Sequence, residues 1–147
     1  MDVLSKAPSY DWKISPITRS ELQRPETRDP VEQLILQSRI VVEDLDSDDG
    51  PAMALFAEWS EWVDPGEAEA IALALARGWL VGLEDLEARR LLDRHVGSGK
   101  WINSASILLD AVKAGTVSIR DADVIFRALD VYSSYVKVGI KSLSQLL

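Results

Sequence analysis

Apolar residues along this chain fall in short blocks set off by proline, glycine and acids, and the densest block lies at 64–90. From Ala68 to Ala76 every helical face is apolar except at Glu69, which predicts a helix packed on more than one side. Asp64 as N-cap, Pro65 at the first helical position and Glu67 at the third mark its start, and Gly78 marks its stop. Residues 79–83 form a continuous apolar run, the pattern of an interior strand in a parallel sheet. Glu84 and Asp85 follow at once, and in open α/β sheets ligands gather beyond the carboxyl ends of strands.

Upstream, residues 1–6 read as the tail of a helix and residues 12–14 as a short strand. Ser15 and Pro16 open a helix that runs to about Arg24. On it Ile17 and Glu21 are four apart and share a face, so an inward Ile17 brings Glu21 inward too. An inward carboxylate is a first hint of a site; the ordinary alternative is a partly exposed glutamate beside Arg24 or Arg28. Asp29 and Pro30 start another helix carrying Val31, Leu34, Ile35 and Leu36, and residues 39–42 read as a strand. The acids at 43–49 fail as a calcium loop, because Asp49 stands where glycine is needed and Leu55 where the bidentate glutamate is needed. Residues 51–62 read as a helix with Trp59 and Trp62 on one side, as in a core or a dimer interface.

Beyond the central block, residues 86–96 predict a helix with Leu91 and Leu92 inward, and its Arg89, Arg90 and Arg94 form the best basic cluster near the carboxylates. His95 is a helix-end residue. Residues 97–100 are a turn rather than a phosphate loop, since Arg94 and Trp101 replace residues that such a loop requires. Asn103 or Ser104 caps a helix to about Ala114, and Ser118 opens another that runs through Leu129. Residues 132–140 read as loop or short extended chain, and 141–147 as a short terminal helix.

Length and composition narrow the class. A chain of 147 residues without an internal repeat, low-complexity tract or linker reads as one domain able to bury a core. The lack of cysteine removes thiol nucleophiles and thiolate zinc sites and fits a reducing compartment. With no signal-peptide pattern and no membrane-length apolar run, the expected location is the cytoplasm. A formal charge of −8 argues against adhesion to nucleic acid through the whole surface, although carboxylates that hold metal ions can still engage phosphates.

Clustered carboxylates without histidine or cysteine partners suit hard cations, magnesium or manganese rather than zinc. The chemistry that most often uses them is phosphodiester hydrolysis. Each acid also has an ordinary explanation: Glu67 completes a capping box, Glu69 favours a helix dipole, and Glu84 and Asp85 begin the next helix. The stretch from Asp64 through Glu67, Glu69 and Ala72, the run at 80–83, the acids followed by Ala88, Arg89 and Arg90, and the segment from Asn103 and Ser104 to Gly115 resemble the C-terminal half of PIN-domain proteins. Residues 12–16 followed by Glu21 and Leu22 resemble that family's second strand and the helix bearing its glutamate.

The resemblance implies a single PIN-like domain over 1–147. Its fold would be a three-layer α/β/α sandwich with a mostly parallel central sheet. Its activity would be that of a magnesium- or manganese-dependent endoribonuclease, commonly the toxin of a toxin–antitoxin pair and often a homodimer. Glu21 matches the helix acid, Glu67 the acid opening the motif helix, and Glu84 the aspartate ending the next strand. Asp85 is a possible substitute for Glu84, Glu69 a fallback for Glu67, and Ser104 matches a position of minor role. Two departures stand out: the family's first strand, ending in a central aspartate, is missing ahead of Asp2, and Glu84 replaces aspartate. The expectations are an enzyme, impaired or with its start upstream, or a degenerate, non-catalytic PIN-like interaction module.

Overall fold

A computed structural model describes residues 10–147, so the expectation for residues 1–6 and the question of a strand at the N-terminus lie outside the described residues. The fold is mixed α/β and falls into two compact units, one spanning Asp11–Trp101 and the other formed of Tyr10 with Ile102–Leu147.

In the larger unit, β1 (Trp12–Ile14) pairs in parallel with β2 (Ile40–Val42), in the register Trp12 to Ile40 and Ile14 to Val42. Between them run α1 (Pro16–Glu21) and α2 (Pro25–Leu36), making a short crossover of the kind parallel strands require. α2 starts at Pro25 rather than at Pro30: Pro25 takes the first helical position, and Pro30 lies inside, withholding one amide from the second turn without ending the helix. α3 (Gly50–Trp59) is capped by the Asp49 carboxylate and stops three residues short of Trp62.

α4 (Pro65–Arg77) is the centre of this unit. Ala68, Glu69, Ile71, Ala72, Leu73 and Ala74 are all buried, as a helix apolar on nearly every face requires, and Gly78 ends it in the left-handed conformation at φ 70°. Ala68, Ile71 and Ala74 pack with Trp59, Val81, Leu83, Ala88 and Leu92. Burying each large side chain completely, as for Ile71 and Leu92, stabilises the unit by about 1.5–3 kcal/mol.

The strand expected over 79–83 is reduced to β3 (Val81–Gly82). Val81 and Leu83 are buried while Leu80 is 51% exposed, so the run alternates, with only one face covered. β3 pairs with β4 (Trp101–Ile102) through a bond from the Val81 amide to the Lys100 carbonyl. Among the described residues the strands form two two-stranded sheets. α5 (Leu86–His95) follows β3 and buries Ala88 and Leu92.

The smaller unit contains α6 (Ser104–Lys113), α7 (Ile119–Ala128), α8 (Tyr132–Lys137) and a 3-10 turn at Leu143–Leu146. Asn103 and Ser118 cap α6 and α7 through their side chains. The segment expected to be loop is α8: Tyr132 and Tyr135, three apart, both meet the buried Phe126 ring edge-on at 5.4 and 5.0 Å. The terminal turn is 3-10, held by its own capping box and by the Leu143 amide bonding Asp123. Tyr10 donates its hydroxyl to Asp110 on α6. No helix among the described residues is long and apolar enough to cross a membrane.

Candidate acidic site

The acids come together because α1 is fastened to the first turn of α4. The Ser15 hydroxyl caps α1 by accepting from the Thr18 amide, and the buried Glu69 carboxylate accepts from the Ile17 amide at 2.9 Å. Thr18 in turn donates its hydroxyl to the Gly66 carbonyl at 3.2 Å. Glu69 therefore satisfies an orphan donor at a helix start and serves packing.

Glu21, the last residue of α1, lies directly over Gly66, the second residue of α4. A Cβ at position 66 would stand 2.3 Å from one Glu21 carboxylate oxygen and 2.8 Å from the other. Only glycine leaves that seat open. One residue on, Glu67 accepts a hydrogen bond from the Asp64 amide, the reach-back arm of a capping box, whereas the Asp64 side chain caps nothing.

Burial pushes the Glu67 carboxyl above the usual range, and the negative charges of Asp85, Asp64 and Glu21 add to the rise, against the lowering effect of the Asp64 amide. Four carboxylates from three places in the chain are thus within electrostatic reach of one another's centre, Glu67. Asp85 arrives as the N-cap of α5, one oxygen accepting from the Ala88 amide at 2.8 Å. Arg89 steadies the turn by donating to the Glu84 and Asp85 carbonyls, while its guanidinium lies 4.8 Å over the Trp101 ring.

The structure brings together Glu21, Glu67 and Asp85 of the sequence-derived candidates. Glu84 and Asp85 are both exposed, and of the two it is Asp85 whose charge acts on Glu67. Ser104 is the first residue of α6, in the other unit. Sequence reasoning missed two participants: Asp64, taken only as a cap, and Gly66, whose signal was a glycine in the first turn of a helix with no turn to make.

An oxygen-only donor set matches the chemistry of magnesium or manganese. The spacing does not: among the described residues no three such side chains approach closely enough to hold one ion. A separate open cleft of about 510 Å³ lies between α1, α2 and β2, bordered by Arg19, Arg28 and Glu32, and includes none of these acids. There Arg19 grips Glu32 through two bonds, 2.6 and 2.8 Å, holding the Glu32 carboxyl below the usual range. No protein-family model, curated protein or solved structure gives a significant match to this chain.

Proposed function

We propose that the chain is a PIN-like protein in which Glu21, Glu67 and Asp85 form the metal-binding part of an endoribonuclease site dependent on magnesium or manganese. The observation that carries this reading is the seat at Gly66. It leaves room for the Glu21 carboxylate one residue from Glu67, whose pKa is raised first by burial and then by the charges of Asp85, Asp64 and Glu21, and carboxylates perturbed in this way concentrate at functional sites. A bound cation would supply charge stabilisation at the scissile phosphate. Glu67 and Asp85 would hold it from α4 and α5, Glu21 from α1, with Glu84 as the neighbouring acid at the position where the family has aspartate. The three-layer sandwich with a central sheet, an RNA substrate, an antitoxin partner and a homodimer belong to the same reading.

A second reading, a non-catalytic PIN-like interaction module, is favoured by the spacing of the acids, which gathers no three of them around one ion among the described residues. RNA cleavage with added magnesium or manganese, by the wild type and by Glu67→Gln, separates the two. Cleavage by the wild type alone supports the enzyme. Equal cleavage by both proteins removes Glu67 from the site, and cleavage by neither favours the module.

A further inference from the structure

The cleft between α1, α2 and β2 holds none of the acids discussed above, and the chain builds it at the carboxyl ends of two parallel strands. Val42 is the last residue of β2, and Pro16 follows closely on Ile14, the last of β1. Ligands gather beyond such strand ends, and about 510 Å³ falls within the range of small-molecule sites, about 300–1,000 Å³. The half-buried Pro16, Leu22 and Val42 give its wall an apolar stretch, and Arg19, Arg28 and Glu32 give it charge. Both arginines are braced. Glu32 accepts from Nε and Nη2 along one side of the Arg19 guanidinium, at 2.8 and 2.6 Å, and Asp29 accepts from the Arg28 Nε at 3.0 Å. Among the described residues nothing accepts from Nη1 of Arg19 or from either Nη of Arg28, so each fork keeps its outer end for a second oxyanion. The Arg19 hydrogen bonds, with the charges of Arg19 and Arg28, hold the Glu32 carboxyl below the usual range against desolvation, so both guanidinium groups act on one carboxylate. A guanidinium already oriented by an acid gives up less freedom when an anion arrives.

We propose that this cleft binds a small phosphate monoester, its phosphate on the Nη ends of Arg19 and Arg28 and its organic body against Pro16, Leu22 and Val42. A phosphate carries enough terminal oxygens to engage two forks at once, whereas a single fork already fills a carboxylate, as Glu32 shows on Arg19. With Asp29 and Glu32 beside the arginines the field is weak at a distance. Selectivity then comes from fork geometry and from the apolar contact rather than from net charge, and neither inorganic phosphate nor a carboxylate on the same body satisfies both.

The test is an NMR titration of the isotope-labelled full chain with phenyl phosphate, inorganic phosphate and benzoate, read on the backbone amides. The proteins are the wild type, Arg28→Gln and, as a charge control, Arg90→Gln. Arg28 and Arg90 are both exposed, so neither replacement disturbs the core. Phenyl phosphate should shift the amides around Arg19, Arg28 and Val42 and saturate with a Kd of about 1 mM or tighter. Inorganic phosphate and benzoate should each bind roughly tenfold more weakly. Arg28→Gln should lose roughly tenfold in affinity for phenyl phosphate, and Arg90→Gln should match the wild type. No saturation by about 10 mM, or shifts confined to residues outside the cleft, would overturn the proposal. So would benzoate or inorganic phosphate binding as tightly as phenyl phosphate, or an affinity unmoved in Arg28→Gln.

Discussion

Glu67 shows how a single side chain reports on its neighbourhood. Its carboxyl binds a proton more tightly in the folded chain than in the unfolded one, because burial and the charges of Asp85, Asp64 and Glu21 oppose ionisation. The sign for stability follows. Below the ordinary glutamate pKa of about 4.3, Glu67 is protonated in both states and has no effect; as pH rises through the folded value, stability is lost. Glu67→Gln keeps an acceptor for the Asp64 amide and removes the charge. We therefore expect the variant to melt above the wild type at pH 7, with the difference vanishing by about pH 4. A difference that grows on acidification would contradict the assignment.

Gly66 offers the complementary test. In Gly66→Ala the atoms nearest the new methyl belong to the end of the exposed, flexible Glu21 side chain, and alanine is the better helix former by about 0.5–1 kcal/mol. Urea unfolding should change by no more than about 1 kcal/mol, while Glu21 swings out of the group. Activity lost with stability kept would mark the glycine as part of the site. Strong destabilisation would show that the Glu21 seat serves the fold.

At the scale of elements, α1 is six residues long and has no buried residue of its own, so its position rests on polar anchors. Glu69→Ala leaves the Ile17 amide without its acceptor, an expected loss of about 1–3 kcal/mol by chemical denaturation, and Glu69→Gln should recover most of it. These anchors also explain what could be read from the chain. Ser15–Pro16, Pro65 and Gly78 marked helix ends correctly, because caps are local chemistry. α8 was illegible, since its tyrosines gain their reason from Phe126, a partner six and nine positions earlier that periodicity within the segment cannot reveal. Pro30 misled for the opposite reason: a proline start signal is local, but Pro25 supplied an earlier one.

Across the whole molecule, the mixed α/β class follows from helices alternating with apolar runs, whereas the extent of pairing does not. The run at 79–83 reads as a buried strand in hydropathy, yet Leu80 faces outward and only two residues join a sheet. The acids were legible as individuals near element ends, and their grouping was not, because it depends on α1 folding back onto α4 through Thr18, Glu69 and Gly66. If a cation joins the acidic group it stabilises the folded chain by mass action, about 2.7 kcal/mol at a hundredfold excess over Kd. Manganese should therefore raise the Tm of the wild type and leave Glu67→Gln unmoved; an equal rise in both would place the ion elsewhere.

The central claim, that these acids serve phosphodiester cleavage, is tested most directly by incubating wild type and Glu67→Gln with single-stranded RNA in magnesium or manganese. We predict cleavage by the wild type that EDTA abolishes and that falls at least about a hundredfold in the variant, the loss expected on removing one electrostatic contact to the transition state. Intact RNA with the wild type, or equal cleavage by both proteins, would contradict it.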